Sequence, residues 1–267
     1  MGYCLIISNA FFDKRFNRCI KCVKEILKHF LNLHFFLIDI ALSCKQMIVS
    51  LSIIKYKKRF IPFAFLAMAF FRIVFWTRKQ HTFFKLMGCG KNGTFDKIPD
   101  LQQWAIMADH ENTDTDIETL YGSFIAKWIR FFNCKTTIHI LEPIESHGLW
   151  DGKKMFGILP PKSDYEGRIA ILTRATIRLS KLKFFWQNVA PVAAMMVTAK
   201  GFEISYGVGE IPWVKQATFS IWESKQAMKD FAYGSKTHAE VIKKTRLQDW
   251  YSEDMFTRFK IINTVSN

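Results

Sequence analysis

The sequence predicts an α+β fold in which two duplicated ferredoxin-like βαββαβ units lie in one chain and form a barrel-like core. The same order of strand-like and helix-like segments occurs twice after Met47. In both copies the second strand-like segment ends in Gly-x-Gly. Each antiparallel sheet must cover its apolar face, and two sheets that face each other achieve this. The 267 residues suffice for such a core, because 49% are hydrophobic and only 7 are proline.

The first copy begins with a β-branched run at residues 48–54, which is typical of a buried core strand. A basic and aromatic-rich stretch at residues 60–76 follows and predicts the first helix. The later elements are expected as strands at 82–90 and 103–108, a helix at 115–132 and a strand at 138–144. We expect the second strand to leave by a turn at its Gly-x-Gly, since glycine accepts backbone conformations that other residues avoid.

The second copy repeats this order with the same residue types. Residues 169–177 supply the apolar first strand, and residues 181–198 supply the basic, aromatic-rich helix. The later elements are expected as strands at 201–209 and 216–221, a helix at 224–245 and a strand at 259–262. The sequence therefore predicts a first unit over residues 47–158 and a second unit over residues 159–267.

The first 46 residues differ in composition from the rest of the chain. They hold four of the six cysteines, namely Cys4, Cys19, Cys22 and Cys44. The CxxC of Cys19 and Cys22 lacks a second CxxC and a surrounding βαβ pattern, so it indicates neither a zinc site nor a thioredoxin-like site. We interpret Met47 as the true start and residues 1–46 as an extension that is not native or is poorly ordered.

The chain is strongly basic. Its 38 Lys and Arg residues outnumber its 23 Asp and Glu residues, which gives a net charge of +15. This charge suits an anionic partner, but it does not choose among nucleic acid, anionic lipid and an acidic protein. The basic runs at residues 55–59 and 243–246 belong to no recognisable nucleic-acid-binding module, so we expect no nucleic-acid partner.

We expect a cytoplasmic protein with reduced cysteines. The most apolar stretch starts at Phe60 and is interrupted by Arg72, whereas a membrane-spanning helix needs roughly 20 apolar residues. We therefore predict no transmembrane helix there, and no convincing secretion signal precedes it. Without export, a disulfide framework is not expected.

Two motifs have a plainer explanation than ligand binding. Residues 88–93 match G-x-G-x-x-G, but no helix N-terminus follows to receive a pyrophosphate, so a turn is favoured over nucleotide binding. The acidic residues from Asp109 to Glu118 lack the spacing of a calcium loop. A helix whose first turn carries favourable negative charge is the preferred interpretation.

His238 is the histidine with the most informative pattern. Ser235 is a suitable cap for a helix in which His238, Val241 or Ile242, and Thr245 share one largely inward face. Neutral imidazole is a good axial ligand for haem iron. The pattern alone still favours a hydrogen-bonded core histidine over a haem ligand.

Several segments together resemble the spheroidene monooxygenase-like carotenoid oxygenase family, over about residues 47–259. The matching segments are Leu172-Thr173-Arg174-Ala175-Thr176-Ile177-Arg178, Gly207-Val208-Gly209-Glu210, Gln216-Ala217-Thr218-Phe219-Ser220-Ile221-Trp222, Phe231-Ala232-Tyr233, Thr245-Arg246, Trp250-Tyr251-Ser252-Glu253, Phe256-Thr257-Arg258-Phe259, Lys85-Leu86-Met87-Gly88 and Ser146-His147-Gly148. The resemblance implies a dimeric α/β-barrel fold within one chain. It also implies a haem-dependent monooxygenase that introduces oxygen from O2 at C-2 of an acyclic carotenoid end, where two hydroxylations lead to a ketone. A ferredoxin is the expected electron donor.

The resemblance also suggests roles for individual residues. It implies His238 as the metal ligand, in addition to the core role that its pattern favours. Candidate pocket residues are catalytic Arg174 and Gln216, and cofactor-binding Arg246, Trp222 and Tyr206. An arginine there pairs with a haem propionate or, equally, forms an ion pair within the protein. The aromatic residues serve either as a core or as a stacking surface.

The sequence is also compatible with a second function, a non-catalytic or cofactor-free barrel that binds haem or an apolar ligand.

An enzyme would meet a polyene substrate at a membrane surface. Residues 60–76 with their basic flanks therefore supply either an interfacial face or, preferably, core packing. Peripheral contact with the inner membrane face is compatible with the cytoplasmic location. An oligomer is compatible with a duplicated chain but not required. His110 stands where the family pattern predicts Trp, which concerns the choice of substrate more than the fold.

Overall fold

The computed structural model describes residues 47–91, 96–234, 245 and 247–267, and in these residues eight strands close into one antiparallel barrel. Around the barrel the strand order is β1-β3-β2-β6-β7-β5-β8-β4. Residues 47–267 form one compact unit. The extension at residues 1–46, His238 and Arg246 lie outside the described residues.

The strands and helices follow the predicted order. The strands are β1 Ile48–Lys55, β2 Phe84–Gly90, β3 Pro99–His110, β4 Lys135–Gly148, β5 Ile169–Ile177, β6 Phe202–Ile211, β7 Lys215–Trp222 and β8 Tyr251–Ser266. The helices are α1 Ile61–Arg78, α2 Ile117–Tyr121, α3 Ser123–Phe131, α4 Leu182–Val197 and α5 Lys225–Gly234. The predicted mixed α and β fold with an antiparallel sheet is therefore confirmed.

Two predicted bounds are wrong because apolar runs were used to place them. The prediction 138–144 captures only the buried centre of β4, and 259–262 shares only Phe259 with the buried centre of β8 at residues 255–259. These two strands pair over their length, from Thr137 opposite Ser266 to Gly148 opposite Met255. Backbone hydrogen bonds with a neighbour extend a strand beyond the residues whose side chains are buried.

The predicted helix at residues 115–132 is two helices. The break is at Gly122, which has a φ of 90° between α2 and α3. A Cβ atom at this position would lie 1.2 Å from a guanidinium nitrogen of Arg78. Gly122 thus accepts a left-handed backbone and leaves room for the arginine that ends α1.

The prediction that each second strand ends at its Gly-x-Gly holds for β2, which ends at Gly90, but is wrong for β6, which continues to Ile211. Both segments are strand residues, and they meet each other where β2 pairs with β6. Gly88 lies opposite Gly209, and Cys89 lies opposite Val208. The two Gly-x-Gly segments therefore pair with each other and form one of the two seams between the halves of the barrel. The other seam is the β4–β8 pair.

The inside of the barrel is filled by side chains from alternate positions of all eight strands. Fully buried examples are Leu51 on β1, Leu172 on β5 and Phe219 on β7. Neighbouring strand residues point outward, toward the helices. The helices of the first half cover that outer surface with one continuous apolar cluster, in which α1 contributes Ala64, Ala67, Phe71 and Phe75.

The helical segment Lys58–Arg78 is long and apolar enough to cross a membrane by length and composition. The helix continues through Arg72. The prediction that the apolar segment ends at this arginine is therefore wrong. Only 22% of its apolar window is buried in the protein.

Candidate active-site cavity

A cavity of about 750 Å³ lies between the outer surface of the second-half sheet and helices α4 and α5. Outward residues of β7, including Thr218, Ser220 and Trp222, form its floor. From α4, Phe185, Asn188, Val192 and Met196 line it at spacings of three and four, which place them on one helix face. This volume falls in the range of roughly 300–1,000 Å³ for pockets that bind small molecules.

The cavity exists because the second half is packed less fully than the first. In the first half one cluster joins the helices to the sheet, whereas the second half has two separate clusters. One centres on Trp222 and Met228, and the other on Phe185 and Trp250. Between them the sheet presents short polar side chains such as Thr218 and Ser220. A gap therefore remains where apolar side chains would otherwise meet.

A buried ion pair forms part of the cavity wall. Arg258 on β8 binds the carboxylate of Glu145 on β4, and the exposed fractions of their side chains are 11% and 3%. The Ser163 backbone N–H donates to Glu145 at 3.3 Å, and the His147 imidazole lies 3.5 Å from the same carboxylate. Among the described residues, the buried Nε of Arg258 has no hydrogen-bond partner.

Aromatic side chains adjoin this polar region. The ring of Phe256 lies under the Arg258 guanidinium at 4.8 Å and stacks on the His147 ring at 5.8 Å. Trp222 is fully buried, its indole N–H donates to Ser220 at 2.9 Å, and its ring stacks on Phe231 at 5.2 Å. This part of the wall thus combines flat apolar surfaces with the Arg258 guanidinium and the Ser220 hydroxyl.

The opposite end of the cavity is also aromatic. Tyr251 contacts Phe185 with a ring separation of 6.0 Å, and burial raises the pKa of its phenol well above the ordinary value. The buried Trp250 donates its indole N–H to Gln248 at 2.9 Å. At neutral pH the cavity therefore has neutral phenol and indole groups at this end.

Three of the predicted site residues, Arg174, Gln216 and Trp222, line the cavity. The half-buried Gln216 donates its side-chain N–H to the Ile211 carbonyl at 3.0 Å. His238 and Arg246 lie outside the described residues. Their described neighbours in the chain, Tyr233 and Thr245, both line the cavity.

Arg174 borders the cavity, but its guanidinium binds carboxylates at one end of the barrel. It pairs with Glu253 and, at 3.2 Å, with Asp151. Lys85 and Lys215 each lie 2.6 Å from Asp151. Burial alone would raise the pKa of Asp151, but the hydrogen bonds from both lysines outweigh it and lower that pKa to about 2.

Tyr206 lies on the other side of the sheet from the cavity. It belongs to the cluster inside the barrel, where its ring stacks on Phe219 at 6.4 Å and lies 5.8 Å from His139. Burial raises the pKa of Tyr206 to about 12. The structure therefore does not bring Tyr206 together with Trp222 and Gln216.

Sequence reasoning missed Arg258 and His147 as cavity residues. His147 belongs to β4 but lies beyond the predicted bounds 138–144, because the apolar run ends before it. Arg258 alternates along β8 with the inward residues Met255, Thr257 and Phe259, so strand alternation was the signal that placed it outward.

Among the described residues, no group of three His, Cys, Asp or Glu side chains is placed to hold a metal ion.

Solved structures with a similar fold include two of aldoxime dehydratase. One has a TM-score of 0.54 at 10% identity, over 83% of this chain and 84% of that chain. The other, solved with butyraldoxime, has a TM-score of 0.51 at 11% identity, over 82% and 80%. At these identities the likeness shows the dimeric α/β-barrel fold alone.

No family model matches the chain. Spheroidene monooxygenase of Cereibacter sphaeroides is 35% identical over 185 residues, which are 68% of this chain and 56% of that protein. The chain thus spans little more than half of this relative. The Rhodobacter capsulatus protein of the same name is 31% identical over 186 residues, 68% of this chain and 76% of that protein. The Rubrivivax gelatinosus protein is 33% identical, over 66% and 67%. As the sequence resemblance indicated, the chain belongs to the spheroidene monooxygenase family.

Proposed function

We propose that the chain is a carotenoid monooxygenase that introduces oxygen at C-2 of an acyclic carotenoid end. The observation that carries this proposal is the cavity of about 750 Å³ between the second-half sheet and its helices. Family membership supports the reaction class, since the relatives bear the name spheroidene monooxygenase. The cavity supplies the place in which an apolar chain end and a cofactor would meet.

The walls suit a polyene end. Phe185, Met196, Met228 and Phe231 present apolar or polarisable surface to the cavity. Burying such a chain end removes apolar area from water, which is favourable by about 25 cal/mol per Å². Aromatic faces and methionine sulfur adapt well to a flat conjugated ligand.

The described residues also fit haem. The cavity is large and mainly apolar, and it has a guanidinium whose Nε has no partner among the described residues, as a carboxylate-bearing macrocycle requires. Arg258 would hold a carboxylate of the macrocycle, and Trp222 would pack on its face. Haem bound here would supply the activation of O2 for insertion into a C–H bond.

We propose that His238 would bind the iron of a haem held in this cavity. Tyr233 and Thr245, which stand on either side of this residue in the chain, both line the cavity. His147 is the second candidate imidazole, since it lines the cavity directly.

Further cavity residues would orient the reactants. Gln216 is proposed to donate a hydrogen bond toward bound oxygen, and the Thr218 and Ser220 hydroxyls offer further groups that hold or pass on protons. The guanidinium of Arg174 already binds Glu253 and Asp151. For Arg174 we therefore propose positioning of these acids rather than direct contact with substrate. Arg246 remains proposed for cofactor binding; for Tyr206, whose position is inside the barrel, a core role is better supported.

The proposed reaction replaces a C–H hydrogen at C-2 by a hydroxyl group. One oxygen atom of O2 enters the product, and the other leaves as water after taking up two electrons and two protons. A second hydroxylation at the same carbon would give a geminal diol, which loses water to form a ketone. A reduced ferredoxin is the proposed source of the electrons. The sheet-covered cavity would keep bulk water from the reacting carbon.

The architecture further supports duplicated ferredoxin-like units. The strand order is β4-β1-β3-β2 in the first half and β8-β5-β7-β6 in the second. Each half therefore has the same arrangement of its four strands. We propose residues 47–158 and 159–267 as the two units, and the cavity belongs to the second.

Pigment analysis tests the proposed function. The full chain is expressed in a host that makes an acyclic carotenoid, together with a ferredoxin and its reductase. We expect a new carotenoid with one added oxygen, as a 2-hydroxy or a 2-keto product. Unchanged pigment beside soluble, haem-loaded protein contradicts the proposal and favours a barrel that binds haem or an apolar ligand without oxidising it.

A further inference from the structure

We infer that the outward side of α1 docks onto an anionic lipid bilayer. Six large apolar side chains there are 40–64% exposed, and we refer to them as the α1 apolar face: Phe63, Phe65, Leu66, Phe70, Ile73 and Trp76. Soluble monomers rarely expose a contiguous apolar patch of this kind without a partner. The inference goes beyond the proposed function and depends on this surface alone.

The opposite side of α1 fixes how the helix lies. Ala64, Ala67, Phe71 and Phe75 are at most 4% exposed and pack against the first-half sheet along the whole helix. A helix held along its length by a sheet cannot have lipid on all sides. It would therefore lie in the plane of the membrane interface, although its length and composition would also allow a span.

The apolar surface continues onto α3. The ring of Phe70 lies 5.8 Å from the ring of Trp128, which lies 6.0 Å from the ring of Phe124. Phe124 is 45% exposed. Aromatic side chains from two helices thus form one broad surface, and residues of this type are favoured at the boundary between headgroups and acyl chains.

The charges around this surface suit an anionic membrane. Residues 47–95 contain nine Lys and Arg residues and no Asp or Glu. The cations include exposed residues at both ends of the helix, with Lys57, Lys58 and Arg59 before it and Arg78 and Lys79 after it. Each cation close to an anionic surface strengthens the attraction between the protein and the membrane. This charge complementarity favours a bilayer over a second copy of the same basic surface.

Vesicle binding of the full chain tests the inference. The wild type is compared with a variant in which Phe65, Phe70 and Trp76 are changed to Ser. The matched control changes Ile158, Leu179 and Trp213 to Ser; these are 94%, 74% and 50% exposed and lie outside α1 and the cavity lining. We expect the wild type and the control to bind phosphatidylglycerol-containing vesicles, with weaker binding to neutral vesicles and at high salt. The α1 variant should lose about tenfold or more in partition coefficient.

Quenching by lipids with brominated tails locates the contact. Trp76→Phe should remove a quenchable part of the tryptophan emission, whereas Trp213→Phe should not. Equal vesicle binding by the wild type and the α1 variant, or no change in quenching for Trp76→Phe, would overturn the inference. A wild type that sediments as a dimer, with a monomeric α1 variant and no vesicle binding, would assign the surface to self-association. Pigment conversion is assayed separately, in detergent. A failure of the docking inference can therefore be told apart from a failure of the proposed function.

Discussion

Arg258 and Glu145 form an ion pair across the β4–β8 seam, at the point where that seam borders the cavity. The pair has little access to water, so its charges are poorly screened and each depends on the other. The carboxylate also accepts the Ser163 backbone N–H, while the Nε of Arg258 has no partner among the described residues. The pair therefore joins the two strands at the cavity wall.

Removing the arginine should destabilise the fold. Arg258→Met leaves the Glu145 carboxylate buried without its cation, which we expect to lower the free energy of unfolding by about 3–5 kcal/mol. Arg130→Met, which breaks the exposed pair with Glu118, should lower it by less than about 1 kcal/mol. Urea unfolding of both variants measures the difference. Equal losses would show that the Arg258 pair is no more shielded than a surface pair.

Asp151 should make stability depend on pH in the acid range. Its pKa in the folded protein is about 2, below the ordinary value of 3.8, so its interactions stabilise the fold above pH 4 and are lost as pH falls through 2. Asp151→Asn should therefore be less stable than the wild type at pH 7. The gap should narrow as the pH is lowered from 4 to 2, as followed by thermal unfolding. A stability difference between Asp151→Asn and the wild type that stays constant from pH 4 to pH 2 would contradict the lowered pKa of Asp151.

The half-buried His110 and the buried His139 should make the stability of the fold depend on pH at higher pH values. Burial first, and then the charge of His81, lowers the pKa of His110 to about 4; burial and the charge of Arg168 lower the pKa of His139 to about 4. Between pH 6.5 and 4 the unfolded chain binds these protons and the folded protein does not. Stability should thus fall as pH decreases, by about 1.4 kcal/mol per pH unit for each histidine.

Variants separate the two histidine contributions. His110→Gln and His139→Gln should each reduce the pH slope of the unfolding free energy by about one proton, and the double variant should reduce it by about two. Denaturant titrations at pH values from 4 to 7 provide the slopes. An unchanged slope in either single variant would show that the histidine is already protonated in the folded protein.

The order of the elements was predictable because apolar periodicity records burial. The runs at 48–54 and 169–177 lie in β1 and β5, whose residues are nearly all buried. The ends of β4 and β8 are polar, so apolar runs could not predict that these ends pair. Gly-x-Gly was misassigned because glycine permits a turn without requiring one, and here the seam between β2 and β6 holds both segments.

The site was harder to predict than the fold. Tyr206 and Trp222 belong to neighbouring strands and both fit an aromatic pocket, yet one side chain lies inside the barrel and the other outside. Sequence alternation shows that residues share a face but not which face turns inward. The cavity itself depends on how residues that are distant in sequence, such as Met228 and Phe185, are arranged around it. No local sequence pattern records that arrangement.

The absorption spectrum tests the proposed haem ligand. The full chain, purified after haem supplementation, should show a Soret band that is lost in His238→Ala and retained in His147→Ala. Loss in His147→Ala alone would transfer the ligand role to His147. Retention in both single variants would exclude each as the necessary ligand, and no band in the wild type would favour a cofactor-free barrel.

The most direct test of the central claim blocks the cavity and measures oxygenation. Ala193 on α4 lines the cavity, whereas the next residue, Ala194, is exposed and is not part of the lining. In a carotenoid-producing host with ferredoxin, Ala193→Phe should abolish the added oxygen while Ala194→Phe should leave it as in the wild type. Both variants should remain soluble and folded. Equal pigment conversion by Ala193→Phe and Ala194→Phe would contradict the placement of the reaction in this cavity.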